Sequence, residues 1–349
     1  MPAEDVTTKA AAQAELAATP FRPAWWARSG LAQTWLATAC AADCPVLRCE
    51  AWDTPDGDQV QLHFVDASAA TAPTVLLLHG LEGSRESGYV GEVARQVRSR
   101  GWRLAVLEFR SCGGVMNGAR RTYHSGETGD LDFVVARLVA RHPEAPLFTI
   151  GFSLGGNVML KWLGERGLDV PATLRAAAAV STPFDLEVAA HQCDTRYAGL
   201  IARHFLRTLI PKAIAKERQY PGSIDVAAVR RCRSFAAFDD LVTAPLHGFR
   251  DAQDYWRSSS CAQFLPAVRV PTVLIAAADD PLVPAAVLPH ATVAASPFLV
   301  SQFTARGGHV GFVAGNTPWR RQRWAEAQAM RFFQWFAARD RAAIIAGAP

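Results

Sequence analysis

Two short β-type runs, at residues 46–52 and 59–65, give the chain its first clear pattern. Between them lies Thr54-Pro55-Asp56-Gly57-Asp58, where proline sets φ and glycine supplies a positive φ, so the pair predicts an antiparallel hairpin. From residue 74 the rhythm changes. Val75-Leu76-Leu77-Leu78 is continuously apolar, as expected of a strand buried on both faces. A helical period follows over residues 89–100, then a strand over 103–109, a long loop over 110–129, a helix over 130–141 and a strand over 146–150. A further helix runs from 153 to about 165, and the next strand spans 174–181. This alternation predicts an α/β chain with a mainly parallel central sheet flanked by helices.

Between residues 184 and 268 the β signal disappears. Leu200, Ile201, Phe205, Leu206, Leu209 and Ile210 recur at helical spacing, which predicts a helical insertion acting as a lid or cap. Strands resume at 271–276 and 298–303, and an amphipathic helix over about 318–344 closes the chain with Trp324, Met330, Phe333 and Trp335. Residues 1–20 are alanine-rich with scattered charge and are read as a frayed or unstructured segment. The expected organisation is therefore a flexible segment at 1–20, a first core part at 21–183, a lid at 184–268 and a second core part at 269–349. Trp25, Trp26, Leu31, Trp35 and Leu36 are read as anchors packing a leading segment onto the core, with contact to a lipid surface as the competing reading.

Composition narrows the partners. Half of the 349 residues are hydrophobic, enough for a large core, and the net charge of +4 is spread without a basic block, so nucleic acid is not expected as a partner. Arg120-Arg121 and the arginines at 230, 231 and 233 read as solvated faces. The seven cysteines are odd in number and irregular in spacing, which suggests free thiols in a reducing compartment and no zinc site. Cys40 and Cys44 could share a helix face, and Cys112 sits in a glycine-rich loop. Glu4 and Asp5 stand where a signal peptide needs positive charge, and no stretch approaches the roughly 20 apolar residues of a membrane span. A soluble cytoplasmic protein is expected.

The chemistry starts at Gly151-Phe152-Ser153-Leu154-Gly155, where an apolar strand stops and a helix begins. That is the context of a nucleophile elbow, a strained turn that lifts the serine hydroxyl clear of the backbone. A serine hydroxyl is a weak nucleophile at neutral pH and needs a base, itself oriented by a carboxylate. Ser153, Asp280 and His309 come in the order of an α/β hydrolase, each just past a predicted strand. Asp279 competes with Asp280, and the Asp-x-x-Val-Pro spacing of residues 280–284 favours Asp280. His79 and His124 compete with His309, which lies between glycines near the C-terminus. The oxyanion donors are expected to be the amides of Leu154, directly after the nucleophile, and Leu81, in the His79-Gly80-Leu81 loop.

Several further stretches carry a resemblance: residues 79–84, Arg110-Ser111-Cys112-Gly113, Tyr123-His124-Ser125-Gly126, Ser153-Leu154-Gly155-Gly156-Asn157, Phe238-Asp239-Asp240, residues 243–249, Asp254-Tyr255-Trp256 and residues 308–312. Together they resemble the YheT-like branch of the α/β hydrolases, over residues 21–336. The resemblance implies a serine hydrolase of carboxylic esters, needing no cofactor and no metal. Animal relatives act on acylglycerols and phospholipids, and bacterial members are regarded as esterases. Trp256 stands where a second aromatic residue, commonly Tyr, is expected. Tyr123, His124 and Asp240 match the family, but no step of acyl transfer is assigned to them. A small-molecule ester or lipid is thus the expected substrate. Acyl transfer to another acceptor, or cleavage of a thioester or amide, would use the same triad. A silent binding module fits less well with an intact triad and both glycine loops.

Overall fold

The computed structural model describes residues 3–39 and 45–339, so Cys40 and Cys44 lie outside the described residues. Its centre is a sheet of eight strands: β1 (Arg48–Asp53), β2 (Gln59–Val65), β3 (Thr74–Leu78), β4 (Arg103–Glu108), β5 (Leu147–Phe152), β6 (Leu174–Val180), β7 (Thr272–Ala277) and β8 (Leu299–Thr304). The spatial order is β1-β2-β4-β3-β5-β6-β7-β8. β1 and β2 form the expected hairpin, β2 pairs antiparallel with β4, and every pair beyond β4 is parallel.

Register fixes where the chemistry can happen. Leu78 lies opposite Leu107 on one side and Gly151 on the other, and Gly151 lies opposite Ala179. The carboxyl ends of β3, β5 and β6 therefore finish side by side. Helices α3 (Gly88–Ser99), α4 (Gly129–Arg141) and α5 (Leu154–Arg166) cover the sheet, as buried parallel strands require. One face packs Leu76, Leu107 and Val158. The other packs Leu77, Val106, Val93 and Phe333, the last from the C-terminal helix Trp324–Ala337.

That last helix starts later than its hydrophobic period suggests. Residues 318–320 form a 3-10 turn, and Gln322-Arg323 pair with Val313-Ala314 as a two-stranded ribbon. Backbone groups held in that ribbon cannot make helical bonds, so the helix begins at Trp324.

The leading segment differs more. The first helix, α1 (Ala3–Ala17), buries Ala12 and Leu16, and Lys9 Nζ donates to the carbonyls of Val293 and Ser296 at 2.5 and 2.7 Å. Where the sequence suggests a frayed segment, residues 8–17 pack against the far edge of the sheet, held by long-range bonds that local composition does not encode. Helix α2 (Gly30–Ala39) follows. Its buried Gln33 donates to the carbonyls of Ala27 and Val313 and accepts from the Val313 amide at 2.6 Å. Trp26 and Leu36 pack beside Ala24, Ala27 and Val313, but the Trp25 and Trp35 rings are 69% and 66% exposed. Only part of the aromatic set is buried.

Residues 184–268 are helical. They include Leu186–Thr195, Leu200–Gln219 and Ala252–Ser259, with a π-helical turn at Asp239–Thr243. This insertion has small cores of its own, one around Leu206, Val229, Phe238 and Val242 and another around Leu186, Tyr255 and Trp256.

Candidate active site

Ser153 sits at the turn between β5 and α5 with φ +52 and ψ −118, a conformation that L-residues avoid unless the surroundings impose it. A Cβ on Gly151 would come within 2.5 Å of the Gly155 carbonyl oxygen, and one on Gly155 would meet the Leu78 and His79 carbonyls. The two glycines are thus required by close approach of backbone, which is why the turn can exist.

The serine hydroxyl faces a chain of contacts. Ser153 Oγ lies 2.8 Å from His309 Nε2, and His309 Nδ1 lies 2.8 Å from Asp280 Oδ2. A carboxylate only accepts, so Nδ1 carries the proton and Nε2 is the acceptor for the serine hydroxyl. The second oxygen of Asp280 accepts from the amides of Leu282 and Val283 at 2.7 and 3.0 Å, which fixes the carboxylate. Asp279 has a different place: its Oδ1 accepts from the Gly308 amide at 2.9 Å and so braces the loop that carries His309.

The other histidines are engaged elsewhere. His79 is fully buried, and burial lowers its pKa to about 4. Its Nε2 accepts from the Phe109 amide at 3.0 Å, so its Nδ1 donates to the Gly80 carbonyl at 2.7 Å. It holds the glycine loop. His124 lines the cavity, but its Nδ1 accepts from the Gly126 amide at 3.1 Å, and burial lowers its pKa to about 3, with Lys161 and Arg121 acting in the same direction.

Among the described residues, the 79–83 loop leaves one amide without a hydrogen-bond partner. Gly80 N–H donates to the Tyr89 hydroxyl, Glu82 N–H to the Tyr123 hydroxyl and Gly83 N–H to the Gly80 carbonyl, at 2.9 to 3.0 Å. Among the described residues the Leu81 amide has no such partner. Leu154, as the first residue of α5, has a backbone amide without an intrahelical acceptor. Leu81 and Leu154 line the same cavity as Ser153.

Behind Leu81 is a group that sequence reasoning passes over. Glu82 has φ +57, and its Oε1 accepts from the Tyr123 hydroxyl at 2.8 Å and from Lys212 Nζ at 2.7 Å. Lys212 belongs to the insertion, in the helix Leu200–Gln219, 130 residues from Glu82 in sequence. Asn157 is equally central: its Nδ2 donates to the Ser125 and Ser259 carbonyls, each at 2.8 Å, and its Oδ1 accepts from the Cys261 amide at 2.9 Å. The elbow helix is therefore fastened to the insertion and to the 123–126 loop. Tyr255 adds to this by accepting from the Ser125 amide at 2.9 Å.

Two acidic neighbours do different jobs. Asp240 accepts from the Ala252 amide at 2.7 Å and supports the start of a helix. Asp239 is half-buried in the cavity wall, where it accepts from Trp256 Nε1 and the Thr243 hydroxyl at 2.8 and 2.5 Å. Burial raises its pKa to about 7. Trp256, where a Tyr is commonly found, thus still supplies a donor.

The cavity beside Ser153 has a volume of about 160 Å³ and is bounded by His309, Leu154 and the insertion, with Leu186, Phe205, Phe238 and Val242 among its apolar walls. Among the described residues no group of three or more His, Cys, Asp or Glu is arranged to hold a metal ion. No helix among them is long and apolar enough to cross a membrane.

Comparison with known proteins agrees with this architecture. The family model described as the alpha/beta hydrolase fold matches residues 73–297. YheT of Escherichia coli is 37% identical over 79% of this chain and 81% of its own. The mouse phospholipase ABHD3 is 30% identical over 85% of this chain and 74% of its own. The yeast monoacylglycerol lipase is 27% identical over 80% and 62%. Among solved structures, the esterase Pf2001 of Pyrococcus furiosus superposes with a TM-score of 0.55, covering 83% of this chain and 91% of that one at 17% identity, a likeness of fold alone.

Proposed function

The chain belongs to the α/β hydrolase fold family, and from that premise we propose that it is a serine hydrolase of carboxylic esters with apolar acyl chains. The observation that carries the reading is the pair of 2.8 Å contacts from Ser153 Oγ through His309 to Asp280, in the wall of a largely apolar cavity.

Ser153 Oγ attacks the ester carbonyl carbon while its proton passes to His309 Nε2. Asp280 holds the imidazole in the tautomer that leaves Nε2 free to accept it, and stabilises the imidazolium that forms. Negative charge on the carbonyl oxygen is met by the Leu81 and Leu154 amides, each such donor contributing about 10²–10³ in rate in comparable sites. The imidazolium then protonates the leaving alkoxide. Water, deprotonated by the same nitrogen, attacks the acyl-enzyme carbonyl carbon, and collapse of that intermediate releases the acid and restores Ser153.

The phospholipase and lipase among the relatives support an ester of a fatty acid as substrate, and the apolar walls of the cavity agree with it. Labelling with a fluorophosphonate probe tests the assignment: the wild type is expected to label and Ser153→Ala to stay unlabelled. Labelling of the variant would refute the role of Ser153. Turnover of a graded series of acyl esters should rise with chain length, and a preference for acetate would refute the acyl-site reading.

A further inference from the structure

Exposed aromatic residues stand on two joined segments beside the site, outside its cavity lining. Trp25 and Trp35 stand out from the leading segment, and Trp319 from the loop before the C-terminal helix, at 69%, 66% and 87% exposure. Leu31, one helical turn before Trp35, is also exposed. The two segments are joined directly. Ala24 N–H donates to the Val313 carbonyl and Trp25 Nε1 to the Asn316 carbonyl, each at 3.0 Å.

Charge on these segments is of one sign. Residues 21–36 and 305–322 contain no Asp or Glu, and they carry Arg22, Arg28, Arg306, Arg320 and Arg321. The first four of these arginines are exposed. Over the whole chain basic and acidic residues are nearly balanced, 36 against 32, so this concentration is local. Indole rings, which join an apolar body to a polar N–H, beside arginines without acidic neighbours in sequence match the boundary between acyl chains and anionic headgroups.

We propose that these two segments dock the protein on a membrane surface rich in anionic lipid, the tryptophans entering the headgroup boundary and the arginines meeting its charge. The segments are mounted on the site. Thr34, in the helix that bears Leu31 and Trp35, accepts from the His309 amide at 2.8 Å, and Gly30 packs on the Asp279 backbone. Docking therefore brings the bilayer to within about one helix diameter, ~10 Å, of the loops carrying Asp280 and His309. It does not depend on the chemistry assigned to Ser153.

The test is flotation of the full chain with phosphatidylcholine vesicles, with and without phosphatidylglycerol. The wild type should float with the anionic vesicles, detach in high salt, and bind pure phosphatidylcholine at least about tenfold more weakly. The double variant Trp35→Ala/Trp319→Ala should lose about tenfold in binding, and Arg320→Ser/Arg321→Ser about fivefold per charge, while both still hydrolyse a water-soluble ester. Ser153→Ala should float like the wild type. Failure of the wild type to float on anionic vesicles, or undiminished flotation of the tryptophan variant, overturns the proposal. Loss of flotation in Ser153→Ala also overturns it, because lipid would then be held by the active site. So does a wild-type dimer that the tryptophan variant turns into a monomer, because the segments would then pair two copies.

Discussion

The sheet edge and the helical insertion hold their parts of the candidate site in opposite ways. At the edge, backbone does the positioning: parallel register sets the ends of β3 and β5 together, and the elbow closes because Gly151 and Gly155 leave no room for a Cβ. In the insertion, side chains do it. Asn157 spans from the elbow helix to Ser259 and Cys261, Asp240 holds Ala252, and Lys212 reaches back to Glu82. Backbone placement is hard to disturb by one substitution, so changes there should remove chemistry and leave the fold. Side-chain placement hangs on single residues, so changes there should alter stability or tune the rate.

The comparison is tested most severely by Asp280→Asn, which should lower kcat on a short-chain ester by about 10³–10⁴ with an unchanged melting curve. Asp279→Asn, which only loosens the Gly308 amide, should stay within about tenfold of wild type. Equal losses from the two would refute the division between orienting acid and loop brace.

Asp239→Asn addresses the insertion through pH. With the folded pKa raised to about 7 against an ordinary 3.8, the folded wild type holds more protons between those limits. Its stability from this group is therefore fully present below about pH 4, falls as pH rises, and is flat above about pH 7. The asparagine variant can keep both bonds and lacks that slope, so its advantage in denaturant unfolding should grow from pH 4 to 8 by at most about 4 kcal/mol. A constant difference would show that the carboxylate is ionised throughout.

Asn157→Ala removes three buried bonds and should cost about 3 kcal/mol of stability in denaturant unfolding. Stability equal to wild type would mean that the insertion is held by its apolar contacts alone. The smallest effect is expected from Lys212→Met, with kcat about tenfold lower and KM little changed, because Glu82 and the adjoining Leu81 amide lose an anchor. A change confined to KM would make Lys212 a substrate contact instead of a positioning residue.

Much of the fold was legible in the chain because burial has a period: continuous apolar runs for parallel strands, a period near 3.6 for the covering helices, and loss of the β signal over 184–268. Ser153, Asp280 and His309 stood out for a related reason, since each follows a strand and sheet topology brings strand ends together. Leu81 stood out as a candidate donor through its glycine loop. The roles of Lys212, Asn157 and Asp239 were not legible, because Glu82 and Cys261 lie more than 100 residues from Lys212 and Asn157, and Asp239 opens a π-helical turn that no local pattern announces. The leading tryptophans misled in part, since an aromatic residue reads as core whether or not a neighbour covers it.

The sequence by itself determined the alternation of strand and helix, the elbow that isolates Ser153, and the order in which the candidate acid and base follow it. These are local properties, written in side-chain size, glycine and burial. Only the tertiary structure decided that Asp280 and not Asp279 meets the imidazole, that His79 is consumed in holding a loop, and that Trp25 and Trp35 face outward. Each of those depends on which distant backbone group lies within about 3 Å, and hydrogen bonds at that range are set by packing between elements and not by the order of residues along the chain.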